Sequence, residues 1–200
     1  MADNQMKSNG NAVISLEELL REIAPQGLDG ALPPVDTWNP ERCSDIDMRI
    51  RADGSWWHEG EKIQREKLVK LFSRILRRDE DGQTYLVTPY EKVIVEVEDA
   101  PFLAVRVDRV GESGPDQILA FTTNVGDLTV AGPKAEIRVE IDPHTSEPSP
   151  YIHVRGRLEA KLTRPAFYEL VELAEPSKKD PTRLIVWSQG KAFDLGYAGE

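Results

Sequence analysis

Acidic, basic and aromatic side chains are concentrated in the stretch CSDIDMRIRADGSWWH, residues 43–58. Its polar residues alternate with Ile46, Met48 and Ile50, and the side chains of a β-strand alternate between two faces. One strand face therefore carries Asp45, Asp47, Arg49 and Arg51. The arginines could bind an anion, and either aspartate could act as a general base that is oriented by His58.

The position of the aromatic residues depends on the turn at Asp53-Gly54, a dipeptide typical of a two-residue hairpin loop. Such a loop would place Trp56 opposite Arg51 and His58 on the same polar face, with Trp57 in the core. One interpretation is a solvated face with a cation–π contact worth about 0.5–1 kcal/mol. The other is a ligand site, in which arginines hold an anion and Trp56 stacks on a ring.

Metal binding by the same face is a weaker hypothesis. Asp45 and Asp47 would lie about 6–7 Å apart along the strand, so they could share a divalent cation only if other ligands converged on it. With three histidines and one cysteine in the chain, a zinc site is not expected. We therefore predict no metal and no other cofactor.

A helix is expected after this strand pair. Apolar residues recur at the spacing of one helical face, which predicts a stripe packed on a core: Leu68, Leu71, Phe72, Ile75 and Leu76. The outer face is basic, with Lys67, Lys70, Arg74, Arg77 and Arg78. A charged strip is ordinarily solvated, but on an acidic protein it could also bind a phosphate or an acidic partner surface.

Composition excludes several classes of function. The 200 residues are 40% hydrophobic and 30% charged, as in ordinary globular proteins. A net charge of −10 argues against non-specific binding to nucleic acid or to anionic membranes. Cys43 is the one cysteine, and no apolar run approaches the roughly 18 residues of a membrane span. The polar start of the chain has no signal-peptide core, so we expect a cytoplasmic protein.

Three regions follow from the pattern along the chain. Residues 1–34 are expected to hold a disordered start, a short amphipathic helix and a linker; the helix packs on its own domain or docks on a protein partner. Residues 35–98 would form an N-terminal α+β unit. Residues 99–200 would form a C-terminal antiparallel-sheet unit with a late helix, closed by a hairpin in RLIVWSQGKAFDLG.

A faint internal repeat suggests a duplication. Aligning Ile63 with Leu162 superimposes two helical stripes, each preceded by two predicted strands and followed by another strand pair. The fold class predicted is therefore α+β, with two similar strand–strand–helix–strand units. Two such units could also match by chance, and that alternative stays open.

Several separated motifs resemble a bacterial family of unknown function, numbered 1285 among such domains. They are WNPERCSDIDMRIRADGSW from Trp38, LVTPYEK from Leu86, VEDAPF from Val97, TNVGD from Thr123 and PYIHVRGRLEAKL from Pro150. The resemblance covers roughly residues 35–197. It implies a duplicated α+β architecture with a C-terminal half superficially similar to pleckstrin-homology-like folds, although the strands predicted after the late helix depart from that fold.

The same resemblance implies a ligand site between the two halves, suited to a nucleotide-like molecule, and a role in signalling. The motif positions able to contact such a ligand are Asp45, Asp47, Arg49, Trp56, His58, Lys92, Asn124, Tyr151 and Arg155. The resemblance names no reaction.

Three functions are compatible with these residues. We favour a non-enzymatic ligand-binding regulatory module that takes a small anionic, nucleotide-like ligand. The first alternative is a protein-interaction adaptor that uses the N-terminal helix. The second is a hydrolase-type enzyme that uses Asp45 or Asp47 with His58, although no GxSxG, HExxH or CxxC motif and no Gly-rich phosphate loop occurs.

Overall fold

The computed structural model describes residues 31–197. The predicted disordered start and the predicted helix near residues 15–24 lie outside the described residues. The described part of the chain is mostly β-structure, with two α-helices of nine residues each. The predicted α+β class therefore holds only in its coarse form, as strands with few helices. No helix in residues 31–197 is long and apolar enough to cross a membrane.

The N-terminal half is a six-stranded sheet with one helix. Its elements are β1 (Arg42–Ile50), β2 (Trp56–His58), β3 (Glu61–Lys62), α1 (Glu66–Arg74), β4 (Leu76–Arg78), β5 (Thr84–Val87) and β6 (Glu91–Val97), preceded by a 3-10 turn (Val35–Thr37). The strand order is β3-β2-β1-β6-β5-β4. Neighbouring strands run antiparallel except β1 and β6, which are parallel.

The C-terminal half has a second six-stranded sheet, one helix and a three-stranded sheet. Its elements are β7 (Phe102–Val110), β8 (Ile118–Thr123), β9 (Leu128–Val130), β10 (Ile137–Ile141), β11 (Pro148–Arg155), β12 (Leu158–Leu162), α2 (Arg164–Glu172), β13 (Glu175–Pro176), β14 (Arg183–Ser188) and β15 (Lys191–Tyr197). The larger sheet has the order β10-β11-β12-β7-β8-β9, and the smaller has the order β13-β14-β15. The predicted closing hairpin is confirmed as β14 and β15.

The two larger sheets share one topology. Each consists of two antiparallel three-strand groups whose first and last strands pair in parallel, β1 with β6 and β7 with β12. The chain therefore contains a repeat of two units, but the predicted strand–strand–helix–strand unit is wrong. In the structure α1 lies between the third and fourth strands of its sheet, whereas α2 follows the sixth. The two helices share an amphipathic pattern because each covers a sheet, not because they are equivalent in the repeat.

The hairpin between β1 and β2 has a three-residue loop, so the predicted two-residue loop is wrong. Arg51 N–H donates to the Ser55 carbonyl at 2.9 Å, which leaves residues 52–54 as the loop. Gly54 has a φ of +77°, the left-handed conformation that closes such loops. The longer loop shifts β2 by one residue, and a one-residue shift exchanges the two faces of a strand.

The exchange of faces puts Trp56 into the core. It pairs with Ile50, is 1% exposed, and stacks on Phe72 of α1 at a centroid distance of 6.1 Å. Trp57 takes the polar face instead, with the Arg51 guanidinium 3.6 Å from its ring centroid. The cation–π contact predicted for Arg51 is therefore present, but with the other tryptophan.

Candidate ligand-binding site

The polar face of β1 is occupied by local contacts. Asp45 accepts a hydrogen bond from the Asp47 N–H at 3.0 Å, within a bulge where Asp47 has a φ of +48°. Arg49 pairs with Glu96 on β6 at 2.7 Å. The bulge shifts the pairing of β1 with β6, but the predicted alternation is confirmed, because Ile46, Met48 and Ile50 are all buried. Arg49 of the predicted site already has a carboxylate partner.

The predicted pairing of an aspartate with His58 is not present in the described chain. His58 lies opposite the buried Met48, and the carboxylate within 4.0 Å of its Nδ1 is that of Glu59, at 3.9 Å. Asp45 and Asp47 are both exposed. The structure therefore does not bring together a base and the histidine that would orient it.

Lys92 and Tyr151 belong to networks in different sheets. Lys92 Nζ lies 3.1 Å from Asp79 and 4.0 Å from the centroid of the Tyr85 ring. The Tyr151 hydroxyl donates to Asp99 at 2.9 Å. Burial first, and then the Asp99 carboxylate, raise the pKa of Tyr151 above its usual value. Lys92 is thus paired with the turn between β4 and β5, and Tyr151 with the segment that joins the two halves.

Two residues of the predicted set, Trp56 and Asn124, line a cavity of about 620 Å³ between the two halves, which we call the interdomain cavity. That volume lies in the range of small-molecule sites. Three segments build it: the β1–β2 hairpin loop, the stretch from β3 into α1, and the β8–β9 turn. Its lining residues are Asp53, Gly54, Ser55, Trp56, Lys62, Ile63, Gln64, Glu66, Val69, Lys70, Asn124 and Val125.

Close contact at Gly54 joins the two walls of the cavity. An added Cβ on Gly54 would lie 2.9 Å from Asn124 Nδ2 and 2.9 Å from Leu103 Cδ1. Asn124 is held in place because its Oδ1 accepts a hydrogen bond from the Leu103 N–H at 3.1 Å. A side chain at position 54 therefore fits only if the side chain of Asn124 or Leu103 moves.

The cavity is rich in hydrogen-bond donors. Lys62 and Lys70 have no carboxylate within 4.0 Å among residues 31–197, and the Asn124 amide nitrogen donates to no group in the same range. The first backbone N–H groups of α1 lie beside Glu66, and a helix N-terminus has unpaired donors and a partial positive charge. Such a set is complementary to a ligand rich in acceptors, such as a phosphate ester.

Buried at the wall of this cavity, the Trp56 indole N–H has no hydrogen-bond partner among the described residues. A buried unpaired donor costs about 1–3 kcal/mol. An unsatisfied buried group in a native structure calls for an explanation, and a bound water or ion is one of them.

Of the two acidic residues in the lining, Asp53 and Glu66, the first is engaged by hydrogen bonds. Asp53 accepts hydrogen bonds from the Ser55 hydroxyl at 2.5 Å and from the Ser55 N–H at 2.9 Å, and these bonds hold the pKa of Asp53 below its usual value. The apolar part of the wall consists of Ile63, Val69 and Val125. The cavity thus combines free donors with an apolar surface against which a flat ring could pack.

Arg155, also in the predicted set, is absent from the lining of this cavity. Its side chain is 19% exposed and donates to Asp127 Oδ2 at 2.6 Å and to the Ser73 carbonyl of α1 at 2.5 Å. It therefore connects the β8–β9 turn to the helix of the other half.

Two other depressions are less suited to a small polar ligand. One, of about 740 Å³, has the acidic residues Asp36, Asp79, Glu80 and Asp81 in its lining, with Arg77 and Arg157. The other, of about 710 Å³, is an apolar groove beside α2 that includes Phe167, Leu184 and Leu195. No group of three or more histidine, cysteine, aspartate or glutamate side chains within residues 31–197 is placed to hold a metal ion.

Comparison with known families covers both halves. The N-terminal domain described as "Domain of unknown function (DUF1285)" matches residues 33–100, and the C-terminal domain described as "Protein of unknown function (DUF1285)" matches residues 101–195. The chain belongs to the DUF1285 family. A solved DUF1285 family protein from Silicibacter pomeroyi DSS-3 is 44% identical with a TM-score of 0.83, and the match covers 94% of this chain and 97% of that one.

A second solved DUF1285 family protein, from Shewanella baltica OS155, is 30% identical with a TM-score of 0.49; the match covers 63% of this chain and 91% of that one. The comparison with curated proteins found no match. Membership of DUF1285 thus establishes the family and its two-domain organisation, and it assigns no activity.

Sequence reasoning missed most of the cavity lining of this DUF1285 protein. Lys62, Ile63 and Val69 were not candidates, because nothing local marks them as residues of a site. Lys70 was noticed only as part of a basic strip. The signal that could have found them is the motif TNVGD, whose tight turn has Asn124 and Val125 at its tip and must contact another segment to bury the valine.

Proposed function

We propose that this DUF1285 protein is a non-enzymatic ligand-binding module with a regulatory role, and that a small anionic, nucleotide-like molecule binds in the interdomain cavity. The observation that carries the proposal is the excess of unpaired donors in a cavity formed by both halves. Lys62, Lys70 and the start of α1 would bind the anionic group. The apolar wall at Ile63, Val69 and Val125 would contact the ring.

A regulatory role is supported by where the cavity lies. Its walls come from two units that are each organised around their own sheet, so a ligand that contacts both walls stabilises one arrangement of the two halves over others. Such a module needs no catalytic group.

The hydrolase alternative loses its support, because the structure separates Asp45 and Asp47 from the ring of His58. We place the protein in the cytoplasm, as the lone cysteine suggests.

The adaptor hypothesis stays a prediction. The N-terminal helix on which it depends lies outside the described residues. The interface between the halves contains a cavity, and a cavity favours a small ligand over an interface filled by side chains.

The test is a thermal-shift screen followed by calorimetry, with AMP, cyclic AMP, NAD⁺ and inorganic phosphate as probes. A ligand at about 100 times its Kd stabilises the folded state by about 2.7 kcal/mol, which raises the Tm by several degrees in a chain of this size. The Lys70→Ala variant should weaken binding at least tenfold. Lys67→Ala is the matched control, because Lys67 is an exposed lysine of the same helix that does not line the cavity.

Equal weakening by Lys67→Ala and Lys70→Ala would mean that the anion binds to the basic helix face and not in the cavity. The absence of a shift with every probe would contradict the proposal, and the adaptor hypothesis would then be tested with a pull-down.

A further inference from the structure

We infer that Arg155 is a positioning residue of the interdomain cavity, which fixes the separation of the two walls without contacting the ligand. The effect on ligand affinity rests on the proposed function. The effect on the walls themselves does not, and it can be measured in the protein without a ligand.

Arg155 makes contacts that bridge the two halves. It ends β11 in the C-terminal half, and its guanidinium group donates through Nη1 to Asp127 at 2.6 Å and through Nη2 to the Ser73 carbonyl at 2.5 Å. The guanidinium carbon also lies 5.1 Å from the centroid of the Phe102 ring. With 19% of the side chain exposed, these contacts are largely shielded from water.

The contact with Asp127 fixes the cavity wall that belongs to the C-terminal half. Asp127 closes the β8–β9 turn, because its carbonyl accepts from the Thr123 N–H at 2.8 Å and its own N–H donates to Thr123 Oγ1 at 3.0 Å. The tip of this turn carries Asn124 and Val125, both of which line the cavity. A displacement of Asp127 therefore displaces the wall.

The contact with the Ser73 carbonyl fixes the cavity wall that belongs to the N-terminal half. Ser73 lies in the last turn of α1, where a positive charge is favourable because the carbonyls of a helix C-terminus carry partial negative charge. The first two turns of the same helix place Glu66, Val69 and Lys70 in the cavity. Since nine helical residues behave as a short rigid rod, fixing Ser73 fixes the orientation of that wall as well.

Arginine is suited to this role in a way that lysine is not. Its planar group presents several N–H donors in fixed directions, so it can bind a carboxylate and a carbonyl at the same time. A lysine at position 155 would keep the charge but would offer a single ammonium group, which can hold one partner well. Arg155→Lys therefore tests the bridging geometry and not merely the charge.

The first experiment measures hydrogen exchange in the absence of ligand. The Asn124 N–H donates to the Leu103 carbonyl and the Gly126 N–H to the Thr123 carbonyl, so both amides report on the turn. We expect Arg155→Lys to speed their exchange about tenfold while the amides of β14 stay unchanged. Arg157→Ala is the matched control, since Arg157 also bridges the two halves, pairing with Glu80 at 2.8 Å on the surface.

Three results would overturn the inference: unchanged exchange at Asn124 and Gly126 in Arg155→Lys, an equal change in Arg157→Ala, or a uniform acceleration over the whole chain. The last would show that Arg155 contributes only to global stability. Asp127→Ala removes the same contact from the other side, and it should reproduce the local acceleration if Arg155→Lys does not fold.

The second experiment measures the Kd of AMP by calorimetry. Arg155→Lys should raise it at least tenfold and Arg157→Ala less than twofold. If Arg155 acts through the β8–β9 turn, Arg155→Lys should raise the Kd by a smaller factor in an Asn124→Ala background than in the wild type. The reason is that the turn then no longer presents the Asn124 side chain to the cavity. A wild-type protein that does not bind AMP would contradict the proposed function for that ligand, and the exchange experiment would still decide whether Arg155 positions the walls.

Discussion

Replacing Gly54 by alanine tests whether the two halves meet as closely as the structure shows. The substitution has two separable costs. Gly54 has a φ of +77°, and an L-residue in the left-handed region costs about 1–2 kcal/mol. The added Cβ would also lie 2.9 Å from Asn124 Nδ2 and from Leu103 Cδ1, and overpacking of this kind costs about 1–3 kcal/mol.

Gly60 offers a control that shares the first cost and lacks the second. Its φ is +78°, and a Cβ added there meets nothing within 4 Å in the described chain. Gly60→Ala should therefore lower the free energy of unfolding by about 1–2 kcal/mol, and Gly54→Ala by about 2–5 kcal/mol. At about 2–4 °C per kcal/mol for a protein of this length, the excess for Gly54→Ala corresponds to roughly 2–12 °C in Tm.

The assay is thermal and urea unfolding of the two variants beside the wild type. In a background of Asn124→Ala the excess for Gly54→Ala should shrink, because one of the two side chains that the new methyl meets is truncated. If Gly54→Ala and Gly60→Ala are equally destabilising, the close approach of the hairpin loop to Asn124 and Leu103 does not exist in solution. The interdomain cavity would then lose one of its three boundaries.

Two predictions concern the dependence of stability on pH. Although burial alone would raise the pKa of Asp79, hydrogen bonds from Arg77 at 2.6 Å and Lys92 at 3.1 Å outweigh it and lower that pKa. Asp79→Asn should therefore cost about 1–3 kcal/mol at pH 7, a difference that fades in urea unfolding as the pH falls below about 4. Burial first, and then the Asp81 carboxylate at 2.8 Å, raise the pKa of Tyr85 to about 12. Because the unfolded phenol ionises near pH 10, stability should fall between pH 10 and 12. Tyr85→Phe should remove this loss, and it should remove one late-ionising phenol from an absorbance titration. A Tyr85 that ionises near pH 10 would contradict its burial.

The sequence predicted the elements whose pattern is local. Strict alternation from Ile46 to Ile50 predicted β1, and the apolar stripe around Phe72 predicted α1. The hairpin register could not be read in this way, because Asp-Gly can fill a two-residue loop or the last two positions of a three-residue one. Only the core decides between them, since Trp56 rather than Trp57 fits against Phe72.

The candidate site was predictable only in part, for a related reason. Trp56 and Asn124 were named as ligand contacts from a family resemblance, and both line the interdomain cavity. Lys62 and Val69 become neighbours of Asn124 only after two sheets have formed and met. Residues such as Lys92 and Tyr151, which are equally polar in sequence, are already paired with Asp79 and Asp99. No spacing along the chain distinguishes a side chain that pairs within its sheet from one that faces a gap between sheets.

The parallel pairing of the first and last strand in each sheet also bears on how the protein emerges from the ribosome. β1 is among the first strands made, yet one of its two neighbours is β6, the last strand of its half. Until residue 97 has left the exit tunnel, β1 exposes an unpaired edge, which is the feature that makes strands prone to wrong association. The N-terminal half can close while the C-terminal half is still being synthesised. The nascent chain therefore passes through two separate periods of exposed edges, one for each sheet, and the cavity between the halves can form only after the second has ended.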